Sequence, residues 1–129
     1  MQANSNLQFP NLILSDTRIC EDVQMGVGCI ISMDARISTN VQLGDFVFMN
    51  TGSMVCHDGR LGDFVTLSPD VKLAGEVTIG AGSDIGIGTK VIQGITIGSN
   101  VVVGAGSVVI KDIASECTVV GVPTRKIRG

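Results

Sequence analysis

A six-residue period runs through most of this chain. Counting in sixes from Ile13 to Val109 gives seventeen positions, and each of them holds an aliphatic residue or Met. A second column, four residues further on in each hexad, is dominated by small and β-branched side chains. Six is not the helical period of 3.6, but short β-branched strands joined by a turn at every sixth residue would produce it. The sequence therefore predicts an all-β solenoid of short strands.

A longer period of eighteen residues lies over the first one. Five glycines fall eighteen apart, and Leu-Gly-Asp-Phe-Val occurs at 43–47 and again at 61–65; the glycines are Gly26, Gly44, Gly62, Gly80 and Gly98. One coil is therefore three hexads, and each glycine is expected at the same corner, where the backbone can turn at little steric cost. The hexads span 13–114, between five and six coils, after a lead-in segment at 1–12 and before a tail at 115–129 that is expected to pack on the last coil.

Composition limits the class of protein. The 129 residues suffice for one domain, and aromatic residues make up only 3%, which is consistent with a narrow core. Residues 91–110 carry no charge, but their polar residues and four glycines argue against a membrane span. Without a signal peptide at the N-terminus, the chain is predicted to be soluble and cytoplasmic. A net charge of −3 argues against nucleic-acid binding.

The cysteines and the C-terminal charges leave two open points. The four cysteines have no paired spacing and only one His accompanies them, so we expect free thiols and no metal site. Residues 111–129 hold four basic and two acidic side chains, whereas the rest of the chain is acidic. This basic segment is either a binding site for a small anion or a solvated tail.

Several segments together resemble a known family. They are Asn-Thr-Gly-Ser-Met-Val-Cys-His-Asp at 50–58, Leu-Gly-Asp-Phe-Val-Thr-Leu-Ser-Pro at 61–69, Leu-Ala-Gly-Glu-Val-Thr-Ile-Gly at 73–80, Val-Gly-Ala-Gly-Ser-Val-Val at 103–109 and Gly-Val-Pro at 121–123. They are similar to the sialic acid O-acetyltransferase (NeuD-type) and bacterial aminosugar N-acetyltransferase family, which is built from hexapeptide repeats. The resemblance implies a left-handed parallel β-helix and transfer of acetyl from acetyl-CoA to an amino or hydroxyl group of a nucleotide-linked or sialic-acid-type sugar.

His57 is the only histidine and is the first candidate for catalysis. It lies two residues past the inward-facing Val55, so it should sit at a corner, where a structural His is an equally good interpretation of position alone. The resemblance implies that His57 is the general base and that Asp58 raises its basicity, although Asp58-Gly59 is also a typical turn dipeptide. Gly75 lies one coil further on, about 4.8 Å away by strand spacing. The resemblance makes its N–H the donor to the oxyanion; the alternative is an ordinary turn glycine.

The resemblance also assigns the cofactor groove and the assembly. Coenzyme A is expected along the coils after His57, in contact with Thr66, Gly75, Ile87, Ala105 and Gly106. Thr66 departs from the family, in which a second His is common there. Lys111, Arg125 and Lys126 are candidates for the cofactor phosphates. The family forms homotrimers with the site between neighbouring prisms, and Phe46, Phe48 and Phe64 predict an outward apolar patch that meets a partner.

Other functions remain as alternatives. Cys56 beside His57 could act as a nucleophile, although neighbouring residues at a corner point in different directions. A carbonic anhydrase on the same fold needs three histidines for its zinc, and one is present. A non-catalytic solenoid, or an acetyltransferase acting on serine or a galactoside, is also possible. Residues 7–13 resemble the segment that joins the family's N-terminal nucleotide-binding domain to the β-helix, so the chain is expected to be a truncated or a minimal form.

Overall fold

The computed structural model describes residues 7–129, and in that range it contains strands and no helix. The strands form three sheets, and each sheet takes every third strand of the solenoid. Sheet 1 consists of β1 (Leu12–Ile13), β4 (Ile30–Ile31), β7 (Phe48–Met49), β10 (Thr66–Leu67), β13 (Asp84–Ile85), β16 (Val102–Val103), β18 (Thr118–Val120) and β19 (Arg125–Arg128). Sheet 2 consists of β2 (Arg18–Ile19), β5 (Arg36–Ile37), β8 (Met54–Val55), β11 (Lys72–Leu73), β14 (Lys90–Val91) and β17 (Val108–Val109). Sheet 3 consists of β3 (Gln24–Met25), β6 (Gln42–Leu43), β9 (Arg60–Leu61), β12 (Thr78–Ile79) and β15 (Thr96–Ile97).

The strand register confirms the eighteen-residue coil. From β1 to β17 all pairs are parallel and join residues eighteen positions apart, as in Ile13 with Ile31 and Leu67 with Ile85. The predicted fold class, an all-β left-handed parallel β-helix, is confirmed as a parallel-stranded solenoid of about 6 turns. Residues eighteen apart are consequently neighbours on the surface, separated by about 4.8 Å.

The two predicted columns form the core, with an exception at the N-terminal end. The first column is buried at every hexad from Ile31 to Val109, and serines and threonines of the second column, such as Ser53 and Thr89, are buried with it. Ile13, however, is 47% exposed, and Ile19 and Met25 are only partly buried. Ile13 is exposed although it continues the aliphatic column, because it belongs to the first coil described and is packed from one side.

Each coil has three corners, and we name them by residues that they contain. The histidine corner comprises the turns between sheets 2 and 3 and includes His57; the aromatic corner, between sheets 3 and 1, includes Phe46; the Ile87 corner lies between sheets 1 and 2. The second residue of these turns has a left-handed backbone, with φ of 61° at Asp58 and 68° at Gly106. Gly, Asn and Asp dominate this column because they tolerate that conformation best.

The five glycines that mark the coil period have a different role from the one expected. They do share one corner, directly after the strands of sheet 3, but none of them has a left-handed φ. A Cβ at Gly62 would lie 2.7 Å from the Ala81 nitrogen, and one at Gly80 would lie 2.6 Å from the Ser99 nitrogen. These glycines are therefore needed for the close approach of successive coils, and not for the turn itself.

The C-terminal end of the solenoid is closed by a hairpin. Strand β18 pairs in parallel with β16, and β19 returns antiparallel to β18 along the edge of sheet 1. Ile113 and Val119 are buried at this end of the solenoid. Residues 7–129 include no helix with the length and apolar character needed to span a membrane.

Candidate active site

His57 projects from the histidine corner, two residues after β8. Its side chain is 46% exposed, and its Nδ1 lies 2.9 Å from Oδ2 of Asp58. The opposite edge of the ring lies over Gly75 of the next coil, because a Cβ built on Gly75 would overlap the imidazole, with Nε2 as the nearest atom. The structure therefore brings His57, Asp58 and Gly75 together at one corner, as the sequence predicts.

Asp58 is held by residues of two coils. Besides the His57 contact, its Oδ1 accepts a hydrogen bond from Nδ2 of Asn40, which lies one coil earlier in the same column. The hydrogen bond with His57 and then that with Asn40 hold the pKa of the Asp58 carboxyl below its usual value. The carboxylate is therefore ionised at neutral pH and favours the tautomer in which Nδ1 carries a proton that it accepts and Nε2 carries the lone pair.

Asn40 is a site residue that the sequence reasoning missed. Its own N–H donates to Oδ2 of Asp22 at 2.9 Å, and Thr39 Oγ1 donates to the same oxygen at 2.6 Å. These contacts, that with Thr39 first, lower the pKa of Asp22. The eighteen-residue spacing from Asp22 through Asn40 to Asp58 was a signal that could have revealed this ladder of side chains.

Gly75 is buried, and its backbone has one free donor. Its carbonyl accepts the N–H of Gly94 at 3.0 Å, and the next residue, Glu76, donates its N–H to the His57 carbonyl at 2.8 Å. Within residues 7–129, the N–H of Gly75 donates to no protein acceptor. The absence of a side chain at Gly75 makes room for the imidazole, while the free N–H is a feature of the turn.

The expected coenzyme A contacts fall in different places. Ile87, Ala105 and Gly106 share the Ile87 corner, where Ile87 is 52% exposed and the N–H of Gly106 donates to the Ile87 carbonyl at 2.7 Å. Thr66 lies on β10 of sheet 1 and is half-buried. Gly75 alone of the five is at the histidine corner. One chain thus places these residues on more than one face and does not gather them around His57.

The basic residues of the C-terminal segment do come together. Lys111, Arg125 and Lys126 line one cavity of about 260 Å³, next to Asp112. The Asp112 carboxylate already accepts the N–H of Thr96 at 2.8 Å. The three cations are therefore available to an anion at this end of the solenoid.

The predicted aromatic patch is present at the aromatic corner. Phe46 and Phe64 stack with ring centroids 5.2 Å apart and planes 10° apart, and Phe9 meets Phe46 edge-on, also at 5.2 Å. Phe64 is 57% exposed. Phe48 is half-buried on the outer side of sheet 1. The rings point outward, as expected from the aliphatic core.

The cysteines are free thiols in the structure, as predicted. Cys29 and Cys117 are buried, and burial raises the pKa of the Cys29 thiol. Cys20 and Cys56 line one open cavity on sheet 2, and among residues 7–129 Cys56 makes no hydrogen bond with His57. In the same range no cluster of three His, Cys, Asp or Glu side chains could hold a metal ion.

The chain is similar to several proteins of known structure. No family model matches the chain, and no curated protein matches it. Solved structures do. A variant of GDP-perosamine N-acetyl transferase from Caulobacter crescentus, in complex with CoA and GDP-perosamine, is 34% identical over 95% of this chain and 58% of its own, with a TM-score of 0.93.

Two further structures agree. The acetyltransferase domain of PglB from Neisseria gonorrhoeae, in complex with acetyl coenzyme A, is 35% identical over 95% of this chain and 60% of its own, with a TM-score of 0.93. WeeI from Acinetobacter baumannii is 32% identical over 89% of this chain and 57% of its own, with a TM-score of 0.87. The chain thus spans less than two thirds of each of these structures. These similar structures are hexapeptide-repeat β-helix acetyltransferases, and the resemblance to that family which the motifs predict is confirmed.

Proposed function

We propose that this chain transfers the acetyl group of acetyl-CoA to the amino group of a nucleotide-linked sugar, with His57 as the general base. The observation that carries the proposal is the alignment of Asp58, His57 and Gly75 at one corner, with Nδ1 and Oδ2 2.9 Å apart. Its support from outside the chain is the bound CoA and GDP-perosamine of one similar structure and the acetyl coenzyme A of another. The acceptor atom is nitrogen in this proposal because the first of these enzymes is an N-acetyl transferase.

The chemistry follows from the two nitrogen atoms of His57. Asp58 holds the proton on Nδ1, so Nε2 accepts the proton of the acceptor amine as its nitrogen bonds to the thioester carbonyl carbon. The carbonyl oxygen becomes an oxyanion, and in this proposal the N–H of Gly75 donates to it. When the carbon–sulfur bond breaks, Nε2 returns the proton to the departing sulfur, which leaves as the thiol of CoA. The imidazole is then neutral again.

The donor is proposed to lie along the coils that follow His57. The exposed, small Ala105 and Gly106 leave room for its pantetheine arm beside Ile87, and the cavity with Lys111, Arg125 and Lys126 suits its phosphates. Thr66 is on another face, so we propose that it contributes from a neighbouring copy in a homotrimer. A groove between two prisms would also supply the concavity that one convex prism lacks.

Two measurements test this function. Calorimetric titration with acetyl-CoA should show saturable binding of one molecule per chain. Turnover should then be assayed with GDP-perosamine and other nucleotide-linked amino sugars. His57→Ala is expected to reduce kcat by about 10²-fold or more, with unchanged melting temperature and acetyl-CoA affinity, because the half-exposed ring supports no core contact. A folded protein that binds no acetyl-CoA, or a variant that keeps most of its turnover, would contradict the proposal.

A further inference from the structure

One outward-facing column of sheet 2 is strongly basic. In register from coil to coil it reads Arg18, Arg36, Met54, Lys72 and Lys90. Successive members are about 4.8 Å apart along the solenoid. Met54 interrupts the column in the coil that also carries His57. An arginine pair therefore lies on the N-terminal side of this coil and a lysine pair on its C-terminal side.

The lysine pair already has hydrogen-bond and ion-pair partners within the protein. Lys72 Nζ lies 3.1 Å from Oδ1 of Asp70 and also donates to the carbonyl of Gly52. Lys90 Nζ lies 3.9 Å from Oδ2 of Asp70 and donates to the carbonyl of Gly88 at 2.9 Å. The hydrogen bond from Lys72, with the charges of both lysines, lowers the pKa of Asp70. Both ammonium groups are thus turned toward the Ile87 corner.

The arginine pair has no such partners within residues 7–129. Arg18 and Arg36 are both exposed, and within residues 7–129 neither makes an ion pair or a side-chain hydrogen bond. Asp16 and Asp34 precede them with the same spacing by which Asp70 precedes Lys72, yet no oxygen of either lies within 4.0 Å of a guanidinium nitrogen. Two like charges in register on neighbouring strands destabilise a sheet. The protein retains this unfavourable pair with its donors unused.

Both arginines line a cavity that extends as far as Cys56, the residue before His57. The cavity measures about 550 Å³, which is the size of a small-ligand site, and no acidic side chain lines it. Met54 also lines it. The two arginines therefore border this cavity without forming ion pairs with the aspartates of the Ile87 corner.

We propose that Arg18 and Arg36 bind the diphosphate of the nucleotide-linked acceptor, an inference that rests on the function proposed above. Guanidinium groups recognise phosphate oxygens through paired hydrogen bonds, and two of them one coil apart match two successive phosphates. Arg36 lies one coil from Met54, and His57 follows Met54 by three positions along the chain, which is about 10 Å. A sugar attached to the diphosphate can bridge that gap. The acceptor then approaches His57 from the N-terminal coils and the donor from the C-terminal coils.

The test uses binding of GDP and inorganic pyrophosphate to the full chain, with acetyl-CoA titrated in parallel. Arg18→Gln and Arg36→Gln are each expected to raise the GDP Kd by at least about tenfold, and Arg36→Lys by less. Lys90→Gln removes one positive charge from the same column and is the matched control, with an expected change below twofold. None of the arginine variants should change the acetyl-CoA Kd. In turnover, the arginine variants should raise the acceptor KM and leave kcat nearly unchanged.

A second readout is local to the cavity. Cys20 and Cys56 line it, whereas the other two thiols are buried. GDP should slow alkylation of Cys20 and Cys56 by iodoacetamide in the natural chain and have no such effect in the Arg18→Gln, Arg36→Gln double variant. Melting curves confirm that each variant is folded, which is expected because both side chains point outward.

The outcomes separate this inference from the proposed function. If acetyl-CoA binds but the GDP Kd is the same in the double variant, the arginine assignment is wrong while the function stands. If the variants weaken acetyl-CoA binding instead, the pair serves the donor's diphosphate and the acceptor assignment is wrong. If acetyl-CoA does not bind at all, the proposed function fails, and a GDP Kd that still depends on the arginines would support a diphosphate site on this face.

Discussion

The histidine corner and the aromatic corner share one backbone and differ in what their side chains do with it. In both, the second turn residue has a left-handed φ, 61° at Asp58 and 60° at Phe64. At three places of the aromatic corner, the N–H of the first turn residue donates to a side chain of the next coil, as in Asp45 N–H to Asp63 Oδ1 at 2.8 Å. At the histidine corner, among residues 7–129, the N–H of Gly75 has no such partner.

This difference shows how one coil of a uniform solenoid can keep a backbone N–H available to a ligand. One residue per coil decides whether the turn N–H is used by the protein or is left for a ligand. At the aromatic corner that residue is Asp63 for the turn of Asp45. At the histidine corner the residue one coil after Gly75 is Gln93, which donates to Oε1 of Glu76 at 3.2 Å and does not bond the Gly75 N–H. The N–H of Asp45 is thus bonded within the protein, whereas the N–H of Gly75 remains available.

The largest expected effect comes from adding a methyl group at the histidine corner. In Gly75→Ala, the Cβ would overlap the imidazole, so His57 must swing out toward solvent. We expect kcat to fall by about 10²-fold, because a displacement of about 1 Å has that effect on a positioned catalytic group. The melting temperature should change little, since the ring is half exposed. Steady-state kinetics and thermal melts check this, and full activity in the variant would show that His57 is not the base.

The same substitution at the aromatic corner should give the opposite pattern. In Gly62→Ala, the Cβ would lie 2.7 Å from the backbone nitrogen of Ala81, which cannot move independently of its coil. Overpacking of this kind lowers the free energy of unfolding by about 1–3 kcal/mol. Urea unfolding measures that loss, and kcat per folded molecule should be unchanged. A variant that loses activity and keeps its stability would remove the distinction between the two corners.

A smaller effect is expected from the carboxylate beside His57. Asp58→Asn removes the acceptor that fixes the Nδ1 proton and stabilises the imidazolium, so kcat/KM should fall by about tenfold or more. The acidic limb of the dependence of kcat/KM on pH, which reports protonation of the general base, should also move to lower pH, because the imidazolium loses its carboxylate partner.

Asp63→Asn is the matched control for that prediction, with the same chemical change at the aromatic corner. It should lower stability by about 1 kcal/mol by weakening the bond to the Asp45 N–H and leave the pH profile as it is. If both variants altered the profile alike, the effect of Asp58 would be one of net charge and not of contact with the ring.

The smallest expected effect is on acid stability. Because hydrogen bonds to His57 and Asn40 lower the pKa of Asp58 in the folded chain, its contribution to stability is present above the usual carboxyl pKa of about 3.9 and is lost as pH falls through the lower folded value. Melting temperatures between about pH 2 and pH 6 should therefore decline less steeply in Asp58→Asn than in the natural chain. Parallel curves for the two proteins would contradict the assigned contacts.

The sequence was sufficient for the architecture because the repeat converts distance along the chain into distance in space. The aliphatic column, the eighteen-residue coil and the proximity of His57 to Gly75 all follow from counting. Counting also fails in recognisable places. It could not show that Ile13 is exposed, because burial depends on having a coil on each side.

Side-chain direction was the part of the site that counting could not supply. The contact of Asn40 with Asp58 depends on side-chain rotamers and on competing acceptors. The same holds for the ion pairs that the lysines of sheet 2 form with Asp70 and that the arginines of the same column lack. The reason for glycine at Gly62 was also missed, because it is the approach of a neighbouring coil and not the local backbone that excludes a side chain.

The regular stacking also gives the molecule a built-in unit of length. Lys111 follows His57 by 54 positions, or three coils, so about 14 Å of solenoid separates His57 from the cavity that Lys111 lines. Within the eighteen-residue coils from β1 to β17, adding or removing whole coils keeps the register, so this distance changes in steps of about 4.8 Å. The number of coils therefore sets the distance between His57 and this cavity. An extra coil inserted between them would leave the local structure of each intact and increase their separation by one step.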